Sequence, residues 1–283
     1  MSAFIEYLIS GIATGCGFAL LASGFVAIFR VTQVINFAQG TFAVAGGFVT
    51  YSCLTSLRIP QGAAEVLGVA AAGLLGLAAG AVALGRRDTP PLASLIITIG
   101  LAVAAYAAEI AIWGEQPLSF TALPGGFTLA GAQLQRQYLL VIGAALIVLG
   151  ALGAFFTRSY TGKGMTACAS NRFAARMVGI NVRRMGLLAF ALGGLLGGTA
   201  GVLLIPIQPL SFSSDVGLAV SGFAAATFGG LRSFPLALAG GLVLGIAESM
   251  IGGYWQASYE TIVALGLMLA LLVWRAHRGV ELA

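Results

Sequence analysis

The sequence predicts an all-α, polytopic integral membrane protein with about eight or nine membrane helices, some of them discontinuous or half-spanning. Three observations carry this. Of the 283 residues, 59% are hydrophobic and only 8% charged, against roughly 25% charged in soluble domains, so the outer surface must be solvated by lipid. The apolar runs are about twenty residues long and do not alternate, as the segments of a barrel would. Basic residues gather at alternate ends of these runs, as the positive-inside rule requires.

The predicted elements are 5–29, 33–57, 62–85, 92–113, 137–157, 186–206, 217–231, 235–254 and 259–274. The first opens with MSAFIEYLIS and stays apolar to Phe29. It lacks a basic leader region, so it is predicted to be an uncleaved helix and not a signal peptide. The second holds VINFAQGTFAVAGGF. In a helix, Asn36 and Gln39 share a face at i, i+3, with Thr41 close behind and Gly40, Gly46 and Gly47 between and after. Two readings stand open: interhelical hydrogen bonds worth about 0.6 kcal/mol each, or a helix broken around Gly40 that lines a path in its cytoplasmic half.

The third and fourth elements are joined by GRRD, with Arg86 and Arg87, and the fourth carries Glu109 toward its outer end. An outer loop, 114–136, is bounded by Glu115 and Arg136. After the fifth element, the connection at about 158–185 holds Arg158, Lys163, Arg172, Arg176, Arg183 and Arg184 and no acid. It is therefore placed in the cytoplasm, which sets the N-terminus outside and the C-terminus inside. Within it, Met165, Ala169, Phe173 and Met177 recur at i, i+4 beside Cys168, Arg172 and Arg176. They predict a short amphipathic helix, 164–178, with Gly179 as C-cap and Asn181 after it. Such a helix suits anionic lipid or the grip of a soluble partner.

The sixth element contains LGGLLGGTAG, a surface of small residues for close helix packing. Pro206 and Pro209 end it, and Ser211, Ser213, Ser214 and Asp215 form a polar outer loop. Ser213 or Ser214 is expected to cap the next helix, with Asp215 at its positive end. That helix, 217–231, is too short to span upright and stops at Gly229 and Gly230. Glu248 is the acid most clearly inside a span, in the eighth element. It either lines a pathway or bonds a neighbouring helix.

Other chemistry is thin. Cys16, Cys53 and Cys168 are scattered, and His277 stands alone, so neither a metal site nor a disulfide framework is indicated. TGKGM lacks the phosphate-loop spacing GxxxxGK[ST], because Thr157 and Gly164 occupy two of its defining positions. The net charge of +5 follows from the inner loops, and no nucleic-acid partner is implied.

VINFAQGTFAVAGGF, GKGMTACASNRFAARMVGINVRRMGLLAFALGGLLGGTAGVL and AAATFGGLRSFPLALAGGLVLGIAE together resemble the LivH-type family, the permease subunits of branched-chain amino acid ABC importers. The resemblance runs nearly end to end. It implies a single permease domain, 1–283, in a bacterial inner membrane, paired with a second permease subunit, homologous or identical. Two cytoplasmic ATPases would drive the pair and use the ATP, an extracytoplasmic binding protein would load it, and this non-catalytic subunit would bind no cofactor. The loop helix would be the coupling helix, with Lys163, Met165, Asn171, Arg172, Phe173, Arg176, Met177, Gly179 and Asn181 toward an ATPase. Candidate path residues are Asn36, Gln39, Thr41, Asp215, Ser221 and Glu248, and candidate helix breaks are Gly40, Gly229 and Gly230.

The chain departs from the family where Gln39 and Thr41 replace a His and an acid of NFAHGE, where Thr166 replaces an Arg, and where GGLRSFPL has Arg232 and Leu236 for glycines. These changes bear on substrate more than on fold: urea, short amides and aromatic acids stand beside branched-chain amino acids. A stand-alone secondary transporter or channel is the alternative class, but it calls for several intramembrane ionisable groups or a visible repeat. A membrane enzyme would need a convergent set of catalytic residues, and the spans offer none.

Overall fold

The computed structural model describes residues 2–85, 90–120, 125–129 and 132–255, together with 262, 265, 266, 269, 270 and 273. Among the described residues the elements follow in order: α1 (Ser2–Thr32), α2 (Gln39–Thr55), α3 (Gln61–Ala83), α4 (Pro91–Trp113), β1 (Gly126–Leu129), β2 (Ala132–Gln135), α5 (Arg136–Arg158), α6 (Tyr160–Ser170), α7 (Arg172–Met177), α8 (Val182–Leu204), α9 (Ser214–Phe228) and α10 (Phe234–Tyr254). Six of these, α1, α3, α4, α5, α8 and α10, are long and apolar enough to cross a membrane. The 17 residues of α2 and the 15 of α9 fall short of the twenty or so a span needs. Most of the ninth predicted element, and Arg86, Arg87 and His277, lie outside the described residues.

The core forms where helices can approach closely. The most apolar stretch of α1 is 83% buried and that of α8 67%, against 11% for α4 and 22% for α5. The first two are therefore the centre, and the last two present most of their side chains outward. Lipid offers no hydrophobic gain for bringing helices together, so backbone proximity must supply the contact. Gly11 and Gly15 of α1 face Gly245 and Gly241 of α10 backbone to backbone, and Gly46 of α2 meets Gly198 of α8. Phe25, Phe48 and Phe190 fill the space that remains.

Four local expectations change. First, the helix of 33–57 starts only at Gln39, and the break lies upstream of Gly40. Gln33 takes a left-handed backbone, φ 56°. The Thr32 hydroxyl oxygen then accepts from the Val34 amide at 3.2 Å, and Asn36 Oδ1 accepts from the Ala38 amide at 3.2 Å. These side chains compete with the helical ladder for backbone donors. Asn36 is therefore not on a helix face with Gln39. Gly40 sits in the first turn of α2, where any side chain would collide with the Asp215 carbonyl.

Second, the loop helix is two helices. Asn171 Oδ1 accepts from the Ala174 amide at 3.0 Å and so caps α7, breaking the run after Ser170. The apolar stripe is split: Met165 is fully buried, whereas Phe173 and Met177 are 74% and 73% exposed. Gly179, at φ +84°, closes α7. Its amide donates to Arg176 O and the Ile180 amide to Ala175 O, both at 3.0 Å, the paired bonds of a left-handed helix stop.

Third, Ser213 occupies the N-cap position of α9 without a side-chain cap bond. Asp215 Oδ1 instead accepts from the Val216 amide at 2.6 Å. The helix ends as α7 does: Gly230, at φ +58°, donates to Thr227 O, and Leu231 to Ala226 O, both at 3.0 Å. Fourth, the segment 114–136, read from the sequence as a loop, holds regular structure. It carries the antiparallel β1–β2 hairpin, and Leu118 exchanges two backbone bonds, 2.7 and 3.0 Å, with Leu210. That pairing ties the loop to the segment leading into α9.

Candidate functional site

Two short helices meet at their N-termini. Asp215, in the first turn of α9, presses its carbonyl against Gly40 in the first turn of α2, and Thr41 Oγ1 donates to Asp215 Oδ2 at 3.4 Å. Asp215 is only 4% exposed. Both carboxyl oxygens are hydrogen-bonded, Oδ1 by the Val216 amide of α9 and Oδ2 by the Thr41 hydroxyl of α2, as a polar group buried away from water requires.

Thr41 also lines a partly open cavity of about 340 Å³ among α2, α3 and α4. Glu109 of α4 lies on the opposite wall, 3% exposed, with both carboxyl oxygens free of any hydrogen bond among the described residues. Asp215 is close enough to act on Glu109 electrostatically. The rest of the lining is apolar: Ala, Val, Leu, Ile, Phe and Trp side chains. Trp113 closes one end by donating from Nε1 to Ser52 Oγ at 2.7 Å, and it packs against Phe48 at 5.3 Å between centroids. Nearer the start of α4, Thr98 holds the irregular segment, donating to Leu95 O at 2.8 Å and accepting from the Phe37 amide at 3.4 Å. The Tyr106 ring meets Phe212 edge-on at 5.1 Å, so α4 also braces the chain entering α9.

The remaining candidates are distributed. Gln39 is fully buried. Its side chain threads between Gly24 of α1 and Gly193 and Gly197 of α8, and Nε2 donates to Gly193 O at 2.8 Å. That is an interhelical brace. Asn36 is 1% exposed, and its Nδ2 has no partner among the described residues. Ser221 Oγ donates to Glu248 Oε1 at 3.1 Å, joining α9 to α10, and neither residue lines the Thr41–Glu109 cavity. Glu109 is the residue that sequence reasoning passed over. An acid about one turn from the end of an otherwise apolar run was the available signal, and its neighbours were not.

The cytoplasm-assigned helices form a second surface. The Ser159 hydroxyl accepts from the Gly162 amide at 2.9 Å and starts α6. Met165, Cys168 and Ala175 pack against Val31 and Ala189. Burial pushes the Cys168 thiol pKa up, and nearby Arg172 and Arg176 oppose that shift. From α7, Arg172 donates through Nε and Nη2 to the Val31 carbonyl at 3.1 and 2.7 Å. Asn181 Oδ1 accepts from the Arg184 amide at 3.0 Å and starts α8, while Arg183 Nε reaches Gly85 O at 2.9 Å. Outward stand Phe173, Met177 and Val178, each more than 70% exposed, with Lys163 and Arg176 also exposed.

Residues 7–272 match the family model for the permease component of the branched-chain amino acid transport system. The high-affinity branched-chain amino acid transport system permease protein BraD of Pseudomonas aeruginosa is 28% identical, over 96% of this chain and 94% of that protein. LivH of Escherichia coli K12, with the same description, is 27% identical over 95% and 93%. A probable branched-chain amino acid transport permease protein LivH of Methanocaldococcus jannaschii is 30% identical over 90% and 85%. PsaBC from Streptococcus pneumoniae, solved in complex with Fab, shares the fold at a TM-score of 0.55 and 14% identity, over 95% of this chain and 94% of that one.

Proposed function

The chain belongs to the family of branched-chain amino acid transport permease components, and from that premise we propose how it works within an ABC importer. It forms half of the translocation path for a small polar solute, with branched-chain or related amino acids the class its relatives' names support. A second permease subunit, homologous or identical, supplies the other half. Two cytoplasmic ATPases bind and hydrolyse the ATP, and an extracytoplasmic binding protein delivers the solute. The whole chain acts as one permease unit in the bacterial inner membrane, N-terminus outside, C-terminus cytoplasmic, without catalysis or a cofactor of its own.

The observation that carries this reading is the two-sided α7. One side shows Phe173, Met177 and Val178 to solvent, a cluster whose exposure costs free energy unless a partner covers it. The other side holds the end of α1 through Arg172. The segment 33–38 leads from that end to Thr41 and Asp215. Movement of a docked ATPase is thereby passed to the meeting point of α2 and α9. Thr41, Asp215 and Asn36 serve the path there, and Glu109 joins them. Gln39 braces α2 against α1 and α8, while Ser221 and Glu248 link α9 to α10. Lys163 and Arg176 flank the docking surface, Met165 anchors it, and Asn171, Gly179 and Asn181 shape its turns.

The test is Phe173→Ala in the assembled transporter. Solute moved per ATP hydrolysed should fall severalfold, or the ATPase should co-purify poorly. Unchanged coupling in Phe173→Ala and in Met177→Ala would assign the surface to lipid and sink the proposal.

A further inference from the structure

The inner end of α1 carries a group that the transport scheme leaves unused. Arg30 lies in the last turn of α1, its guanidinium carbon 5.8 Å from the Phe156 ring centroid and 5.4 Å from that of Phe234. Phe156 belongs to α5 and Phe234 opens α10; their rings stand 5.0 Å apart. Stacking on aromatic faces orients the guanidinium plane but consumes none of its N–H donors. No hydrogen bond from its guanidinium is made within the described chain.

Arg30 also borders a cavity of about 650 Å³ between α5 and α10. Leu146, Leu149, Leu152 and Leu238 line it, with Thr157 and Thr166 near its polar mouth. Those two hydroxyls already donate to Gly153 O and Gly162 O at 2.9 and 3.0 Å. Arg30 is thus the donor left open at the mouth, and the threonine oxygens keep lone pairs for a headgroup hydroxyl. Positive charge at one end and an aliphatic wall along the rest fit a molecule with an anionic head and a hydrocarbon tail. A second copy of this chain is a poorer match: among the described residues its exposed acids, Glu6 and Glu115, stand at the opposite end of the bundle, far from the depth of Arg30.

We propose that this groove is a binding site for an anionic phospholipid of the leaflet nearest α6 and α7, its phosphate on the Arg30 guanidinium and an acyl chain along α5 and α10.

The assembled transporter, reconstituted in nanodiscs of equimolar phosphatidylglycerol and phosphatidylcholine, would be released into the gas phase and its retained lipids counted by native mass spectrometry. Wild type should retain phosphatidylglycerol about tenfold over phosphatidylcholine, the gain from a charge-assisted bidentate contact. Arg30→Gln should bring that ratio to near one, and Arg30→Lys should fall between. Leu149→Trp fills the groove with the charge intact, so it should lower total retained lipid even if Arg30→Gln assembles poorly. A ratio unchanged in Arg30→Gln, or retained lipid unchanged in Leu149→Trp, overturns the site. So does an intersubunit disulfide formed by Leu149→Cys in the assembled transporter, which would place a permease partner in the groove.

Discussion

Replacing Arg172 with alanine removes two hydrogen bonds that tie α7 to the end of α1. Both guanidinium bonds fall on Val31 O, at 3.1 and 2.7 Å, and Val31 lies in the last turn of α1, where carbonyls lack an intrahelical donor. Hydrogen bonds from a charged donor contribute about 1.5–3 kcal/mol. Because the two share one acceptor, about 2 kcal/mol serves for the pair, roughly thirtyfold in the balance between linked and unlinked arrangements. The ATPase should still assemble, since Phe173, Met177 and Val178 are untouched. The assay is proteoliposome uptake with parallel phosphate release, read as solute moved per ATP. Arg172→Ala should lower that ratio by tenfold or more while ATP hydrolysis persists, and Arg172→Lys, with a single compact donor group, should recover part of it. A ratio within twofold of wild type in Arg172→Ala would refute the linkage.

Three further outcomes are expected. Gly40→Ala drives a methyl group into the Asp215 carbonyl, backbone against backbone, at a cost of about 1–3 kcal/mol. The thermal midpoint should drop by roughly 5 °C, whereas Gly217→Ala, whose added carbon meets nothing within 4 Å, should leave it in place. Single cysteines introduced at 36, 39 and 41 into a cysteine-free chain separate path from brace. Position 41 should react with a small charged thiol reagent at a rate that changes with ATP, and position 39, wedged among three glycines, should stay inert. Reaction at 39 with none at 41 would reverse the assignment. Inactivating the partner ATPase should stop uptake with the proton gradient intact; continued uptake would point to a secondary carrier.

Composition and periodicity alone determine that this chain is a bundle of membrane helices. With 8% charged residues and no water in the hydrocarbon core, each run of about twenty apolar residues has no stable alternative to a helix. The short α9 and its stop at Gly230 were legible for a local reason, since glycine takes the left-handed backbone at little cost. So was the glycine-rich packing of α8. What was not legible depended on contacts distant in sequence or on a choice between competing local bonds. Asn36 and Asn171 each had two uses for their side chains, and a local turn at Asn36 and a cap at Asn171 defeated the continuous helix. Gly40 looked like a hinge and is a point of backbone approach, because Asp215 arrives there from 175 positions away. Gln39 and Thr41 are two residues apart and therefore leave α2 on different sides, one into the α1–α8 seam and the other toward Glu109. Only the packing of α2, α4 and α9 decides which buried polar group is a brace and which faces a cavity, because burial fixes the need for a partner but not its identity.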